Sequence, residues 1–280
     1  VHTRKVPLAD DVDLSRIAAG CPGFSGADLK NLVNEAAMRA ARERRTSVSM
    51  LDFESMRDRV LMGSERGLKL LPEEVHRLAV HEAGHCVAAY YSPLADPLHK
   101  VSIVPRGRAL GATQQMPEAE RYTLPSGYLR DRLVVMLGGR AAERVLLGDV
   151  STGADDDIHQ ATALARSMVA RWGMSDEIGP VDLRESEDHP FLGREVAQPR
   201  HHSDAWAEAV DAAVSDLLKE SDRHAAALVV DHRDALERLV AALEAEETLD
   251  RDAIDRCLRG GSSGAGRDGI APLRRGRDVA

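Results

Sequence analysis

The chain has 280 residues, 43% of them apolar and 30% charged, with a net charge of −9. That length accommodates one large or two ordinary domains, and the acidic balance argues against a general nucleic-acid binder, which needs basic patches to neutralise phosphates. Cys21, Cys86 and Cys257 lie far apart with no CxxC pair, so they indicate neither a disulfide framework nor a thiolate zinc site.

Aromatic residues make up only 3%, so the core is expected to be built from Leu, Val, Ile, Met and Ala, a composition that suits helices. No apolar run approaches the ~18 residues that span a bilayer, and no signal peptide is visible. The chain starts with Val rather than Met, and is expected to be a fragment of something longer.

The first sixty residues read as helical. Ser25 followed by Asp28 has the form of a capping box, and Leu29, Leu32, Val33, Ala36, Ala37 and Ala40 recur at helical spacing. Ser49 with Asp52 starts a second helix carrying Phe53, Met56 and Val60 on one face. "GSERG", Gly63 to Gly67, reads as a linker. Pro72 suits the first turn of a helix running to about Tyr91, which Pro93 and Pro97 end.

Lys100 to Val104 and Leu110 to Met116 are short strand candidates on either side of a Gly-bearing turn, with Val101 and Ile103 on one side. Helical patterns follow over Pro125 to Leu147, Asp155 to Trp172, Ser203 to about Ser221, Arg223 to Glu246 and Arg251 to Leu258. Gly173 to Gln198, rich in Gly, Pro and acids, reads as loop. The Gly/Ser/Arg-rich end, residues 259–280, reads as a disordered tail.

The stretch "VHEAGHC", Val80 to Cys86, carries the chemistry. On a helix His81 and His85 stand at i and i+4, so they project from one face a turn apart. Two neutral imidazoles so placed can both reach one Zn²⁺. Glu82 lies about 100° round the helix from His81, beside the metal, where it can take a proton from water and hand it to a leaving amine. Ala83 and Gly84 are small and let another backbone or a substrate come near. The competing reading is a partly buried amphipathic helix with satisfied histidines, so a third ligand is needed.

The extension HExxHxxGxxH is absent, because Ala88 and Tyr91 occupy its Gly and last His positions. The remaining candidates are Glu143 in "GGRAAERVLLG" and Asp155, Asp156 and Asp157 in "STGADDDIHQAT". Acids are also favoured in a helix's first turn by its dipole and free N–H groups. Spacing alone leaves the four open.

The segments "GFSGADLKNLVNEAA", "HEAGH", "DPLHKVSIVPRGRALG", "LGGRAAE", "STGADDDIHQATALARSMV", "WGMSDEIGPV" and "FLGRE" together resemble the C-terminal half of the FtsH family, membrane-anchored AAA+ zinc proteases. The resemblance runs from Val1 to about Leu258. It implies a mainly α fold: an AAA+ small helical lid over 1–64, then a mostly helical zinc peptidase domain over 70–258 with a short β-hairpin or small sheet. The family pattern is similar to "STGASNDL", whose final Asp binds zinc, which places the third ligand at Asp157. Asp155 and Asp156 depart from that pattern. Ile158, Ala161, Leu164, Ala165, Met168 and Val169 set the register of the helix Asp157 opens, and Glu143 is then better read as a supporting or structural group.

The resemblance further implies His81 and His85 as the other ligands, Glu82 as the base, and Gly26 and Ala27 of the lid near a nucleotide. No GxxxxGK[ST] occurs in this chain, so ATP is expected only in the intact protein. Unfolded polypeptides or membrane proteins are the implied substrates and a homo-hexamer the implied assembly. Membrane attachment is expected only through a missing N-terminal part, at the cytoplasmic face of the plasma membrane of a bacterium, with this chain soluble. A rival from another class is a non-catalytic lid and assembly module with a vestigial metal site.

Smaller signals complete the reading. The hairpin from Val101 to Met116 is a place for an extended substrate to pair, or equally a structural cover for the HEAGH helix. His99, His159, His201 and His202 are expected on the solvated surface, and Cys86 in the core. Arg140 and Glu143, three apart, are expected to pair with each other.

Overall fold

The computed structural model describes residues 1–260 other than 22, 108, 117–120, 122 and 184–202. The tail from 261 onward, the "FLGRE" segment, most of the loop before 198, and His201 and His202 lie outside the described residues. Among the described residues no helix is long and apolar enough to cross a membrane.

The amino-terminal part is α1 (Leu14–Ala19), α2 (Gly26–Arg42) and α3 (Met50–Met62). Each has, at its start or in its first turn, a polar side chain that accepts from free backbone donors. Asp13 accepts from Ser15 and Arg16 N–H. Ser25 and Asp28 cap each other reciprocally at α2, and the Ser49 N–H reaches Asp52 at 2.9 Å. Ile17, Leu32, Val33, Ala36, Ala40, Val48 and Phe53 form a hydrophobic core of their own.

The second core runs from Ala79 to Leu258. Its axis is α4 (Pro72–Tyr91), in which every residue from Ala79 to Ala89 is buried. A helix covered on all sides needs neighbours on all sides. They are α5 (Ser126–Ala142), α7 (Asp204–Asp231), α8 (Arg233–Glu246) and a small sheet. Between α4 and α5 the backbones approach closely: a Cβ on Gly138 would lie 2.7 Å from the Gly84 carbonyl oxygen and 2.8 Å from Ala88 Cβ. The small residues of the HEAGH turn therefore admit a backbone, that of α5. α6 (Asp155–Arg166) and α9 (Arg251–Arg259) complete the α-helices among the described residues.

The sheet is antiparallel in the order β2-β1-β3, from β1 (Leu98–Ser102), β2 (Ala112–Gln115) and β3 (Thr248–Asp250). Val101 faces Thr113 on one side and Leu249 on the other, and β2 is an outer strand. Val101 and Ile103 are both buried, as their alternation requires.

Several sequence expectations are corrected. α7 does not end near Ser221 but continues to Asp231. The Ser221 hydroxyl donates to the Leu217 carbonyl at 2.9 Å, inside the helix, and so does not break it. β3 is too short to leave a pattern. Ile158 is 45% exposed, whereas Ala161, Ala165, Met168 and Val169 are buried. Arg140 pairs with Asp222 rather than with Glu143. His99 is no solvated residue: its Nε2 lies 3.0 Å from the buried Arg57 guanidinium. Burial and that positive neighbour push its pKa down to about 4.

His99 and Lys100 belong to a contact between the two cores, in which Lys100 Nζ meets the buried Asp58 at 2.6 Å. The linker is tied down as well. Arg66 N–H donates to the Pro105 carbonyl at 2.9 Å and Gly107 N–H to the Ser64 carbonyl at 3.1 Å.

Candidate metal centre

α4 starts with Pro72 and with Glu73 and Glu74 in its first turn, where a fixed φ and negative charge both suit a helix N-terminus. Two turns in, His81 and His85 face the same way, their ring centroids 4.8 Å apart. Their Nε2 atoms are 3.1 Å apart. Asp157 comes from a different element: Ser151 accepts from the Gly153 N–H and leads into the helix whose first turn contains Asp155, Asp156 and Asp157. Asp157 Oδ2 lies 3.1 Å from His81 Nε2 and 3.3 Å from His85 Nε2. Asp155 and Asp156 are exposed, and Asp156 accepts from Gln160 on its own helix.

The triangle can be tested against a metal. A tetrahedral ion with ligand bonds of 2.0–2.1 Å has its ligand atoms about 3.3–3.4 Å apart. The three observed separations, 3.1, 3.1 and 3.3 Å, match that size within a few tenths of an ångström. Two imidazole nitrogens and one carboxylate are also the donor types zinc takes. Among the described residues, these three make the one such cluster.

Both rings have their other nitrogen engaged. His85 Nδ1 donates to the Val135 carbonyl at 2.7 Å. His81 Nδ1 lies 2.8 Å from Glu143 Oε1. These partners place the Nδ1 protons away from the cluster and leave both Nε2 atoms as ligand positions. Glu143 sits at the start of a π-helical turn that ends α5, Glu143–Leu147, a local widening common at functional sites. Its second oxygen accepts from the Ser151 N–H at 2.8 Å and from Arg77 at 3.1 Å. Both oxygens are therefore committed to holding His81 and the segment that leads to Asp157.

The electrostatics of the metal-free cluster follow from this crowding. Burial opposes a charged His81 ring, but the bonds to Asp157 and Glu143 outweigh it and raise its pKa to about 10. Burial likewise works against an ionised Asp157, yet the two imidazoles hold its carboxyl well below the usual range. Glu143 is held down to about 2, burial being overcome by His81, Ser151 and Arg77. Glu82, buried beside the cluster, behaves the opposite way. Burial raises its pKa, and the charges of His85 and His81 only partly offset that.

Residues that pattern reading did not single out also build the site. Thr113 Oγ1 donates to Glu82 Oε2 at 2.7 Å. Gly139 places bare backbone against the cluster, since a Cβ there would be 2.7 Å from both Nε2 atoms. A Gly138–Gly139 pair inside an otherwise regular helical pattern was the available signal. Cys86 is fully buried, as expected, and burial pushes its thiol far up. Gly26 and Ala27 are exposed in the first turn of α2, and His159 is exposed on α6.

Two histidines one turn apart, a carboxylate from a second helix and a buried glutamate beside them, on a helical platform, form the construction of a metallopeptidase centre. Residues 69–257 match the model of peptidase family M41, and residues 11–55 match the AAA+ lid domain. The chain belongs to peptidase family M41.

It is 64% identical over 263 residues to the ATP-dependent zinc metalloprotease FtsH of Hahella chejuensis, covering 94% of this chain and 42% of that protein. It is 50% identical over 258 residues to the ATP-dependent zinc metalloprotease FtsH 4 of Sphaerobacter thermophilus, covering 92% of this chain and 39% of the relative. It is 48% identical over 258 residues to the FtsH of Marinobacter nauticus, covering 92% and 41%. The chain thus spans about two fifths of the length of these relatives.

Proposed function

We propose that residues 70–258 form a zinc endopeptidase unit and residues 1–64 an AAA+ lid, within the C-terminal part of an ATP-dependent, FtsH-like protease. The observation that carries the reading is the convergence of His81 Nε2, His85 Nε2 and Asp157 Oδ2 at 3.1 to 3.3 Å. In this reading those three atoms hold Zn²⁺, with Asp157 as third ligand in preference to Asp155, Asp156 and Glu143.

When bound, the ion polarises the scissile carbonyl and brings the pKa of water towards neutrality. The protein's own groups do the rest. Glu82 takes the proton of the attacking water on its carboxylate and passes it to the leaving amine nitrogen. The outer edge of β2 pairs with an extended peptide segment, which favours unfolded chain as substrate.

In the intact protein, ATP-driven unfolding supplies that chain from protein and membrane-protein substrates, with Gly26 and Ala27 near the nucleotide. A homo-hexameric ring encloses the sites, and a membrane anchor outside this chain holds it at the cytoplasmic face of the plasma membrane.

The test is Glu82→Gln assayed on an unstructured peptide alongside zinc analysis. Cleavage is expected to vanish with zinc content unchanged. Full activity in the variant sinks the assigned role. A wild-type chain with neither zinc nor chelator-sensitive cleavage points instead to the non-catalytic lid and assembly module.

A further inference from the structure

A general base must be held as well as present. Its oxygen has to sit within hydrogen-bond reach of the proton it takes, and misplacement by about 1 Å costs on the order of a hundredfold in rate. The Glu82 carboxylate stands on a flexible side chain beside two rings already engaged with other partners. Its own hydrogen bond comes from across the fold. Thr113 Oγ1 lies 2.7 Å from Oε2 and 3.2 Å from the Glu82 main-chain oxygen. A hydroxyl has one proton, and the shorter contact, to the carboxyl oxygen, claims it.

Gly111 lies against the same side chain. A Cβ at that position would stand 2.6 Å from Oε1, 2.9 Å from Cγ and 3.0 Å from Cδ of Glu82. Gly111 is not among the glycines with positive φ, so space rather than backbone conformation requires it there. Glu82 is gripped by a hydroxyl and walled by a bare Cα, both from the β1–β2 hairpin. The hairpin is itself held in register: Val101 pairs with Thr113 and Ser102 with Ala112, while β3 braces β1 from behind.

We propose that Thr113 and Gly111 are positioning residues for Glu82, which makes the strand that offers its edge to substrate also the element that aligns the base. The inference rests on the assignment of Glu82 as base made above. It adds that the alignment is imposed from the β1–β2 hairpin and not by α4, on which Glu82 is carried.

The experiment compares Thr113→Val, Thr113→Ser and Gly111→Ala in this chain. Valine keeps the branched shape and removes the donor, serine keeps the donor, and alanine pushes the carboxylate aside without straining the backbone. Thr113→Val and Gly111→Ala are expected to lower kcat on an unstructured peptide by about tenfold or more, with KM and zinc content within about twofold of wild type. Thr113→Ser is expected to retain most of the activity.

A second readout needs neither metal nor turnover: in crystals of metal-free Thr113→Val the Glu82 carboxylate is expected to leave its present position. A Glu82 side chain that stays in place overturns the proposal, as does a Thr113→Val kcat within about twofold of wild type. Should the wild-type chain fail to cleave at all, the reading of Glu82 as base falls, while the position of the carboxylate in Thr113→Val still decides whether β2 holds it.

Discussion

Gly139→Ala puts a single methyl group between α5 and the candidate ligands. Its Cβ would stand 2.7 Å from His81 Nε2, from His81 Cε1 and from His85 Nε2. Uncharged contacts sit at about 3.5 Å or more, so the methyl is roughly 0.8 Å too close to two rings at once. Neither ring is free to swing away, because His81 is bound to Glu143 at 2.8 Å and His85 to the Val135 carbonyl at 2.7 Å. Separating the helices is equally resisted, since Gly138 already lies against Gly84 and Ala88.

The overlap is therefore shared between ring displacement and a shift of α5, an overpacking cost of about 1–3 kcal/mol in the metal-free chain. Tilting the rings also spoils the donor triangle, and a loss of about 10- to 100-fold in zinc affinity is expected, as when a group that orients a ligand is removed. That is about 1.4–2.7 kcal/mol. Urea unfolding of the metal-free chain gives the first number and zinc titration against a competing chelator the second. Gly67→Ala is the control, because nothing lies within 4 Å of a Cβ there. A Gly139→Ala chain with wild-type stability and zinc affinity within about twofold refutes the reasoning.

Asp157→Asn is expected to weaken zinc binding sharply, whereas Asp155→Asn and Asp156→Asn, at exposed positions, are expected to stay within about threefold of wild type by the same titration. In the first core, two Arg45 contacts of 2.6 Å hold the buried Asp52 carboxyl down to about 2. Its folded pKa lies below the unfolded value of about 3.9, so its contribution is complete above pH ~4 and is lost as the pH falls towards 2. Denaturant unfolding across that window should show the loss, and Arg45→Met should flatten it. Lys100→Met strips the buried Asp58 of its 2.6 Å partner and leaves, among the described residues, Arg57 at 3.2 Å. A stability loss of about 1–3 kcal/mol is expected from urea unfolding, and a loss under 0.5 kcal/mol would show this contact to be idle.

How legible the molecule is in its sequence differs from residue to residue. Ser25 with Asp28, Ser49 with Asp52, and Pro72 announce helix starts because capping is chemistry between near neighbours. His81 and His85 share a face because 3.6 residues make a turn, whatever surrounds the helix. The mainly helical class follows from the same short-range periodicity. Boundaries carried by weaker local signals were harder: the helix expected to end near Ser221 runs on, since that hydroxyl finds its acceptor inside the helix.

The rest depends on which elements meet. Spacing left Asp155, Asp156, Asp157 and Glu143 open as third ligand, and it was the resemblance that named Asp157. Tertiary packing brings Asp157 Oδ2 to both Nε2 atoms, leaves Asp155 and Asp156 exposed, and commits both oxygens of Glu143 to His81, Ser151 and Arg77. The grip of Thr113 on Glu82 spans 31 positions and that of Glu143 on His81 spans 62. No periodicity relates residues so far apart. The sequence by itself determined the helix and the face on which the two histidines stand, because those depend on bonds a few residues long. Only the fold decided what faces them, because a metal-sized triangle needs atoms from two helices brought within 3.3 Å by the packing of a third.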